Sequence, residues 1–481
     1  MDKPVHISNS NKFDQWLETI TREFCDLDTG QRTQTLDRLI SVSDSSQLFH
    51  LTQHLETYCK RDFLRQLPNE LVIQILSYLD ASSLDACCLV SQTWYNVTTS
   101  CDKVWKSICE VNGIATKENK SSTSQYHMNL YHRVKLKLEA LQNGTAFEYI
   151  TLEGHNDRIM AMDYSNGILA TGSDDHSVRL WNASTGKCIK DIKTGHSVSA
   201  LKFQGSYLVT GSYNATTTLW NSHTGEERGL YAGHVGAVFA LDFNKDMDLL
   251  VTGSADSFTK LWHMSTEQCI KTIDIGIQQW VLKARIYDCK NDPNKFGLVI
   301  ENYNSSSGLN FLTFEITQDD EYLVTNHLKW PICPDIDYVY MKDRTVSFCC
   351  KVHLKIREYN ISDNLDIDHT CYDIINDHLR PVEVSTLLGA GKNFMLFEDI
   401  FSSNGKMLHV VSKQTEKCNG KKALNLNLMA SLPSNARLGE TTTLCNDKWL
   451  NGLDDRTCKG PVMAVALKNY DALLVKWKDK I

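Results

Sequence analysis

Gly154-His155, Thr171-Gly172-Ser173 and Leu180-Trp181 follow one another in this chain. The same three marks return as Gly195-His196, Thr210-Gly211-Ser212 and Leu219-Trp220, then as Gly233-His234, Thr252-Gly253-Ser254 and Leu261-Trp262. The tryptophans stand 39 and 42 residues apart and the histidines 41 and 38. Self-similarity at a fixed period of roughly 40 residues is the mark of one supersecondary unit used repeatedly. Within each unit, Ile168-Leu169-Ala170, Tyr207-Leu208-Val209 and Leu249-Leu250-Val251 read as short buried strands, and Val178-Arg179-Leu180-Trp181 alternates as a strand does. Turn residues follow the buried strands: Asp174-Asp175-His176-Ser177, Tyr213-Asn214-Ala215-Thr216 and Ala255-Asp256-Ser257-Phe258. One such unit cannot bury its own faces, so three imply further copies in a closed ring.

The Gly-His start and the Trp end resemble the WD40 repeat family. The resemblance implies a β-propeller in which a His, an acid, a middle-strand Ser or Thr and the Trp form a hydrogen-bonded tetrad in each blade. The matching positions are His155, Asp175 and Trp181, then His196, Asn214 and Trp220, then His234, Asp256 and Trp262. A buried indole N–H and imidazole need such partners. Asn214 keeps an acceptor and lacks the charge, so the second tetrad is expected to be weaker. The family's closing Asp is replaced by Asn182, Asn221 and His263. The recurring His, Asp and Ser are not read as a catalytic triad, because the trio recurs once per repeat and triads are defined by geometry.

After Ile270 the repeat decays. Gln279-Trp280-Val281-Leu282 is expected to open a fourth blade, Tyr322-Leu323-Val324-Thr325 and Thr345 to Cys350 to be middle strands, and Leu473 to Trp477 to be the last strand. Phe394 to Glu398 and Met407 to Val411 are expected to flank a turn. Residues 147–481 at roughly 42 per blade give about eight blades, and insertions favour seven. Ring closure would pair a strand near the propeller start with the final blade. Gly389-Ala390-Gly391-Lys392-Asn393 echoes a phosphate loop but lacks its first glycine and the Ser/Thr after Lys, so it reads as a hairpin turn.

Composition narrows the function classes. A net charge of −8 disfavours a general nucleic-acid or acidic-membrane binder. The 16 cysteines include two adjacent pairs in apolar runs, Cys87-Cys88 and Cys349-Cys350, and no C-x-x-C pair. Zinc and disulfide readings therefore lack support, and no metal or cofactor is expected. Reduced thiols point to an intracellular protein, in the cytoplasm first and the nucleus second. The amino-terminal residues lack a signal-peptide layout, and no apolar run reaches the roughly 18 residues of a membrane span.

The first 60 residues have a helical period. Phe13, Trp16, Leu17 and Ile20 form one stripe, Leu36, Leu39 and Ile40 a second, and Leu48, Leu51 and Leu55 a third. Asp and Ser residues at the breaks can cap three short helices. Packing against the next segment and self-association both remain open, since small helical units often need a partner to complete a core.

Leu67-Pro68 then starts a new helical run. Leu71, Ile75 and Leu76 share a stripe, Leu84, Cys87, Cys88 and Val90 lead to Trp94, and Val104, Trp105 and Ile108 lie on a third helix. Over residues 61–108 this resembles an F-box, and with the repeats the chain is similar to the F-box/WD repeat family. That resemblance implies docking on the SKP adaptor (S-phase kinase-associated protein 1) of a cullin–RING ubiquitin ligase. Leu67, Pro68, Ile75, Leu84 and Val90 would face the adaptor, and Leu71 and Trp94 would be internal. It also implies dimerisation through residues 36–58, just ahead of Arg61-Asp62-Phe63.

The expected fold class is α+β and multidomain. It comprises a helical segment (1–60), an F-box three-helix domain (61–110), a loop and linker helix (111–146) and an all-β WD40 propeller (147–481). Tyr131, Val134, Leu138 and Leu141 lie at helical spacing, which suggests a stiff spacer with solvated Arg133, Lys135 and Lys137. Family propellers read targets on the rim bearing strand starts and b–c turns. Here that rim holds Arg158, Met160 and Asp174, then Ser197 and Tyr213, then Ala237, Phe239 and Ala255, with Trp280 from the fourth blade. Aromatic and apolar groups outnumber the one arginine, so a peptide with apolar anchors and at most one phosphate or carboxylate clamp is expected. The reading is a non-catalytic adaptor that brings a protein substrate to a ligase for ubiquitination and proteasomal degradation. A WD40 scaffold without a ligase role is the alternative. A propeller enzyme would need convergent carboxylates or metal ligands, and none is readable.

Overall fold

A computed structural model describes residues 10–59, 63–112, 114, 125–143, 145–276, 278–302, 309–319, 321–330, 339–342, 344–350, 355–373, 384–390, 394–399, 407–412, 425–426, 432–445 and 460–478. These form two compact units that divide between Thr98 and Thr99.

In the first unit, α1 (Ser10–Asp26), α2 (Thr29–Val42) and α3 (Ser45–Cys59) follow the three predicted stripes. Asp28 starts α2 with a reciprocal pair of bonds. Its carboxylate accepts from Gln31 N–H, and the Gln31 side chain accepts from Asp28 N–H. Asp44 and Gln47 repeat the device at α3. These helices bury almost nothing: Phe13, Trp16, Leu17, Ile20, Leu36, Leu39 and Ile40 are all exposed.

The rest of the unit behaves differently. In α4 (Phe63–Gln66), α5 (Asn69–Ser77) and α6 (Ala81–Cys87), Leu64, Val72, Leu76, Leu84 and Cys87 are buried. Pro68 sits at the cap of α5, where its missing N–H costs nothing. Asp80 caps α6 by accepting from Ser83 N–H.

The second unit begins within α7 (Gln92–Ser100) and continues with α8 (Asp102–Val111) and α9 (Tyr126–Gln142). Asp102 clamps the last two together, taking both the backbone N–H of His127 at 3.1 Å and its ring Nδ1 at 2.8 Å. The spacer expectation for α9 is corrected here. Leu130 and Val134 join Cys109 in one core with Phe147, Leu432, Val462, Val475 and Trp477, so α9 is packed onto the β-structure. Lys137, expected to be solvated, lies 5.3 Å from the centre of the Trp477 ring. The polar stretch Lys117 to Ser124 lies outside the described residues.

The strands form seven four-stranded antiparallel sheets. The first holds β2 (Ile159–Ser165), β3 (Ile168–Ser173), β4 (Ser177–Asn182) and β5 (Cys188–Lys193). The second holds β6 (Val198–Gln204), β7 (Tyr207–Ser212), β8 (Thr216–Asn221) and β9 (Glu227–Ala232). The third holds β10 (Val238–Asn244), β11 (Leu249–Ser254), β12 (Thr259–His263) and β13 (Cys269–Ile273). The fourth runs β14 (Val281–Asp288), β15 (Lys295–Asn302), β16 (Leu309–Ile316) and β17 (Tyr322–Trp330), and the fifth β18 (Val339–Lys342), β19 (Thr345–Cys350), β20 (Lys355–Ile361) and β21 (Ile367–Asp373). The sixth runs β22 (Val384–Ala390), β23 (Phe394–Asp399), β24 (Met407–Ser412) and a two-residue β25 (Asn425–Leu426). The last combines β26 (Ala436–Leu444), β27 (Pro461–Leu467) and β28 (Ala472–Trp477) with β1 (Phe147–Leu152) from the start of the propeller. Phe147 pairs with Trp477 and Leu152 with Ala472, so the first and last strands share one sheet and the ring closes.

Most strand expectations hold. Val281 opens the fourth sheet, β19 is a middle strand, and β23 pairs with β24. Tyr322 to Thr325 is not a middle strand. It lies in β17, the outer strand of its sheet, where residues 323–329 are all exposed. Of the stretch Gly389 to Asn393, read as a hairpin turn, Gly389 and Ala390 belong to β22, which pairs with β23, and Gly391 to Asn393 lie outside the described residues.

Each letter of the repeated Thr-Gly-Ser has a separate task. The serines donate to the loop ahead of the inner strand: Ser173 to Asp157 O, Ser212 to Ser197 O and Ser254 to Gly236 O, at 2.8–2.9 Å. The glycines admit the neighbouring sheet. A β-carbon on Gly172, Gly211 or Gly253 would come within 2.5, 2.9 or 2.3 Å of Val198, Val238 or Val281, the residues that open the next sheets. The threonines anchor the tetrads.

Candidate substrate face

Two tetrads are complete. In the first sheet, His155 Nδ1 is 2.8 Å from Asp175 Oδ2, His155 Nε2 is 2.7 Å from Thr171 Oγ1, and Trp181 Nε1 donates to the same hydroxyl at 2.9 Å. In the third, His234 pairs with Asp256 and Thr252, both at 2.8 Å, and Trp262 donates to Thr252 at 2.8 Å. A neutral imidazole protonated on Nδ1 satisfies every contact: it donates to the acid and accepts from the threonine. Burial lowers the pKa of both histidines, against the opposing pull of their aspartates. Burial would raise Asp175, but bonds from Ser177, Asn156 N–H and His155 outweigh it and bring its pKa to about 2. Asp256 is lowered for the same reason: burial is outweighed by the N–H groups of Val235 and Phe258 and by His234.

The second tetrad is corrected more severely than its Asn214 suggested. Trp220 still donates to Thr210 at 2.9 Å. His196, however, is exposed, and among the described residues its ring has no hydrogen bond. Asn214 accepts from Thr216 instead. The cause is loop length. His155 and His234 stand four residues before Ile159 and Val238, whereas His196 stands two before Val198. The shorter loop cannot carry the ring back over the sheet. This spacing was readable in the sequence and was masked by the regular Gly-His mark.

The rim residues form a continuous arc. Asp174 N–H donates to Arg158 O, and the Asp174 carboxylate accepts from the Ser197 hydroxyl. Ser197 O accepts from Tyr213 N–H. The Tyr213 ring meets Phe239 edge-on, with centroids 5.8 Å apart, and Phe239 lies 5.5 Å from Trp280. Tyr213 is 43% and Trp280 49% exposed, Arg158 is exposed, and Met160, Asp174 and Phe239 are half-buried. Three sheets therefore contribute one aromatic line, exposed at Tyr213 and Trp280, with Arg158 at the opposite end of the arc.

A second ring feature was not anticipated. Asp163, Lys202, Asp242 and Arg285 occupy the same place, four residues into the inner strands of four consecutive sheets. Lys202 lies 3.6 Å from Asp163 and 3.8 Å from Asp242, and Arg285 lies 3.4 Å from Asp242. Asp163 also accepts from Phe203 N–H and Asp242 from Ile286 N–H, each across to the next sheet. The alternation of charge at a period of about 40 residues was the available signal. Single charges within mixed strands do not draw attention until the sheets are superposed.

On the F-box-like segment, Pro68, Ile75 and Val90 are exposed and Leu67 is half-buried. Leu84 is fully buried, and its expected role at the adaptor is corrected to a core role. Leu71, expected inside, is 46% exposed, and Trp94 is half-buried. Helix α6 is only two turns long, so its cap at Asp80 and its packing put Leu84 inward. Among the described residues, no group of three or more His, Cys, Asp or Glu could hold a metal ion, and no helix is long and apolar enough to cross a membrane.

Comparison with known proteins agrees with this layout. The family description "F-box-like" matches residues 64–111, and "WD domain, G-beta repeat" matches residues 148–182, 186–221 and 225–263. F-box/WD repeat-containing protein 2 from Homo sapiens is 33% identical over 477 residues, covering 97% of this chain and 98% of that protein. The Mus musculus protein of the same name is 34% identical over 414 residues, covering 84% and 92%. F-box/WD repeat-containing protein 7 from Drosophila melanogaster is 26% identical over 181 residues, covering 35% of this chain and 13% of that protein.

Proposed function

Because the chain belongs to the F-box/WD repeat family, we propose that it is the substrate-recognition subunit of an SCF (SKP–cullin–F-box) ubiquitin ligase. Its F-box binds the SKP adaptor, and its propeller, read as seven-bladed in line with seven four-stranded sheets, holds a protein substrate for ubiquitination. Its contribution to the reaction is proximity, and transfer chemistry resides elsewhere in the complex. One observation carries the reading. In the first and third sheets the His, Asp and Thr groups hold tryptophans, while the rim carries an aromatic line exposed at Tyr213 and Trp280. Exposed aromatics at a rim suit anchor-type recognition, and Arg158 offers a single clamp for an acidic or phosphorylated group.

The exposed stripes of α2 and α3 support a homodimer through residues 36–58, since apolar faces of this extent usually meet a partner. A cytoplasmic, and secondarily nuclear, location accords with nine free cysteines among the described residues.

Co-purification tests the adaptor half. Wild type is expected to bring down the SKP adaptor and cullin, and Leu67→Asp with Pro68→Ala to lose both. Val90→Asp changes an exposed residue and is expected to lose them with the fold intact. A wild-type chain that captures propeller partners without the adaptor would instead be a WD40 scaffold.

A further inference from the structure

We propose that His50 and His54 of α3 chelate a divalent transition-metal ion of the nickel and copper class. The site stands apart from the ligase reading and is complete in one chain.

The sequence places the two histidines four residues apart in the middle of a 15-residue helix. Positions i and i+4 lie one above the other on a helix face, with β-carbons about 5–6 Å apart. That spacing lets two imidazoles reach one ion, as the His-x-x-x-His pairs of helical metal sites do. The absence of a paired cysteine motif, which argued against zinc, does not bear on such a pair.

Both rings turn towards each other. Their centres are 4.4 Å apart, their planes are inclined at 63°, and both residues are exposed. Taking the bond of about 2.0–2.1 Å that imidazole makes to zinc as a guide, two imidazoles at a right angle on one ion have centres roughly 4.5 Å apart. A right angle separates neighbouring ligands in the square-planar and tetragonal geometries that nickel(II) and copper(II) prefer. The helix therefore holds the rings near the bound spacing before any ion arrives, and little ordering is left to oppose binding.

The surroundings leave the rings available. Other polar side chains of α3 are engaged locally: the Ser46 hydroxyl donates to Asp44, Gln47 accepts from Asp44 N–H, and Thr52 donates to Leu48 O at 2.9 Å. Among the described residues neither imidazole has a hydrogen bond or an ion pair, and the contact between the rings is their one ring contact. The helix contains no lysine or arginine and one glutamate, so no fixed cation of its own repels an ion. Two ligands are fewer than the four of a closed structural site, and water fills the remaining positions. Helix pitch turns His50 and His54 by about 100° from Leu51 and Leu55, so a partner covering the leucine stripe would leave the pair open.

The test uses the full chain without an affinity tag, titrated with nickel chloride in a calorimeter. Wild type is expected to bind one more nickel per chain than either His50→Gln or His54→Gln. A third variant, Thr52→His with His54→Gln, keeps the number of histidines but sets them two residues apart, where they do not share a face. It is expected to bind like the single variants. The ion grips α3 only while it is helical, so amide exchange around residues 50–54 is expected to slow about tenfold when free nickel is about ten times its Kd. Exchange in the three variants is expected to stay as it is without nickel. Equal uptake by wild type and either single variant would overturn the proposal. So would full uptake by the Thr52→His, His54→Gln variant, or uptake by wild type with no change in exchange.

Discussion

Val281 of the fourth sheet lies over Gly253 of the third so closely that a β-carbon on the glycine would be 2.3 Å from Val281 Cγ1. The same relation ties Gly172 to Val198 and Gly211 to Val238. Gly253→Ala should therefore overfill the seam and destabilise the fold by about 1–3 kcal/mol. Val281→Ala makes room, so the double variant should lose less than the sum of the two single losses. Urea unfolding of all four proteins checks this.

The two kinds of Gly-His repeat should respond differently to one substitution. His155→Ala leaves Asp175 and Thr171 without their imidazole, at a cost of about 2–3 kcal/mol. His196→Ala removes an exposed ring and should stay within about 0.5 kcal/mol of wild type. A large loss for His196→Ala would show that the second tetrad forms after all.

Acid should weaken the propeller in two stages. His155 and His234 have pKa values below their ordinary 6.5 in the folded protein, so the unfolded chain binds more protons below that pH. Their contribution is complete above pH 6.5 and is lost as pH falls beneath it. Asp175, at about 2 against an ordinary 3.8, contributes fully above 3.8 and loses its share as pH falls towards 2. Melting temperature should be level from neutral to mildly alkaline pH and drop below 6.5. In His155→Gln the first drop should be smaller.

Asp242 joins three inner strands through Lys202, Arg285 and the N–H of Ile286. Asp242→Ala should cost about 1–3 kcal/mol, because it strands a backbone donor as well as two cations. Asp242→Asn keeps the acceptor and should cost less. Raising salt should narrow the gap between wild type and Asp242→Asn, since the lost component is charge pairing.

Leu39→Asp with Leu51→Asp places charges on the exposed stripes of α2 and α3. Light scattering should give twice the chain mass for wild type and the single mass for this variant. A wild-type monomer would sink the dimer reading.

Sequence alone determined much of the architecture. Thr and Trp recur because each Trp finds its Thr ten residues earlier in the chain, and such a period survives in one dimension. The Asp28 and Asp44 caps were legible for the same reason, since a cap acts over three residues. The rim positions followed from the repeat, which dictates where turns and strand starts fall.

Other features required the tertiary structure. Leu84 and Leu71 share an amphipathic pattern, and only packing put one in the core and the other outside. The docking of α9 depends on Phe147 and Trp477, residues brought beside it by ring closure. The charge line from Asp163 to Arg285 and the aromatic line from Tyr213 to Trp280 each take one residue per sheet. Such lines are perpendicular to the chain, and only the stacking of sheets around a ring brings their members within a few ångströms.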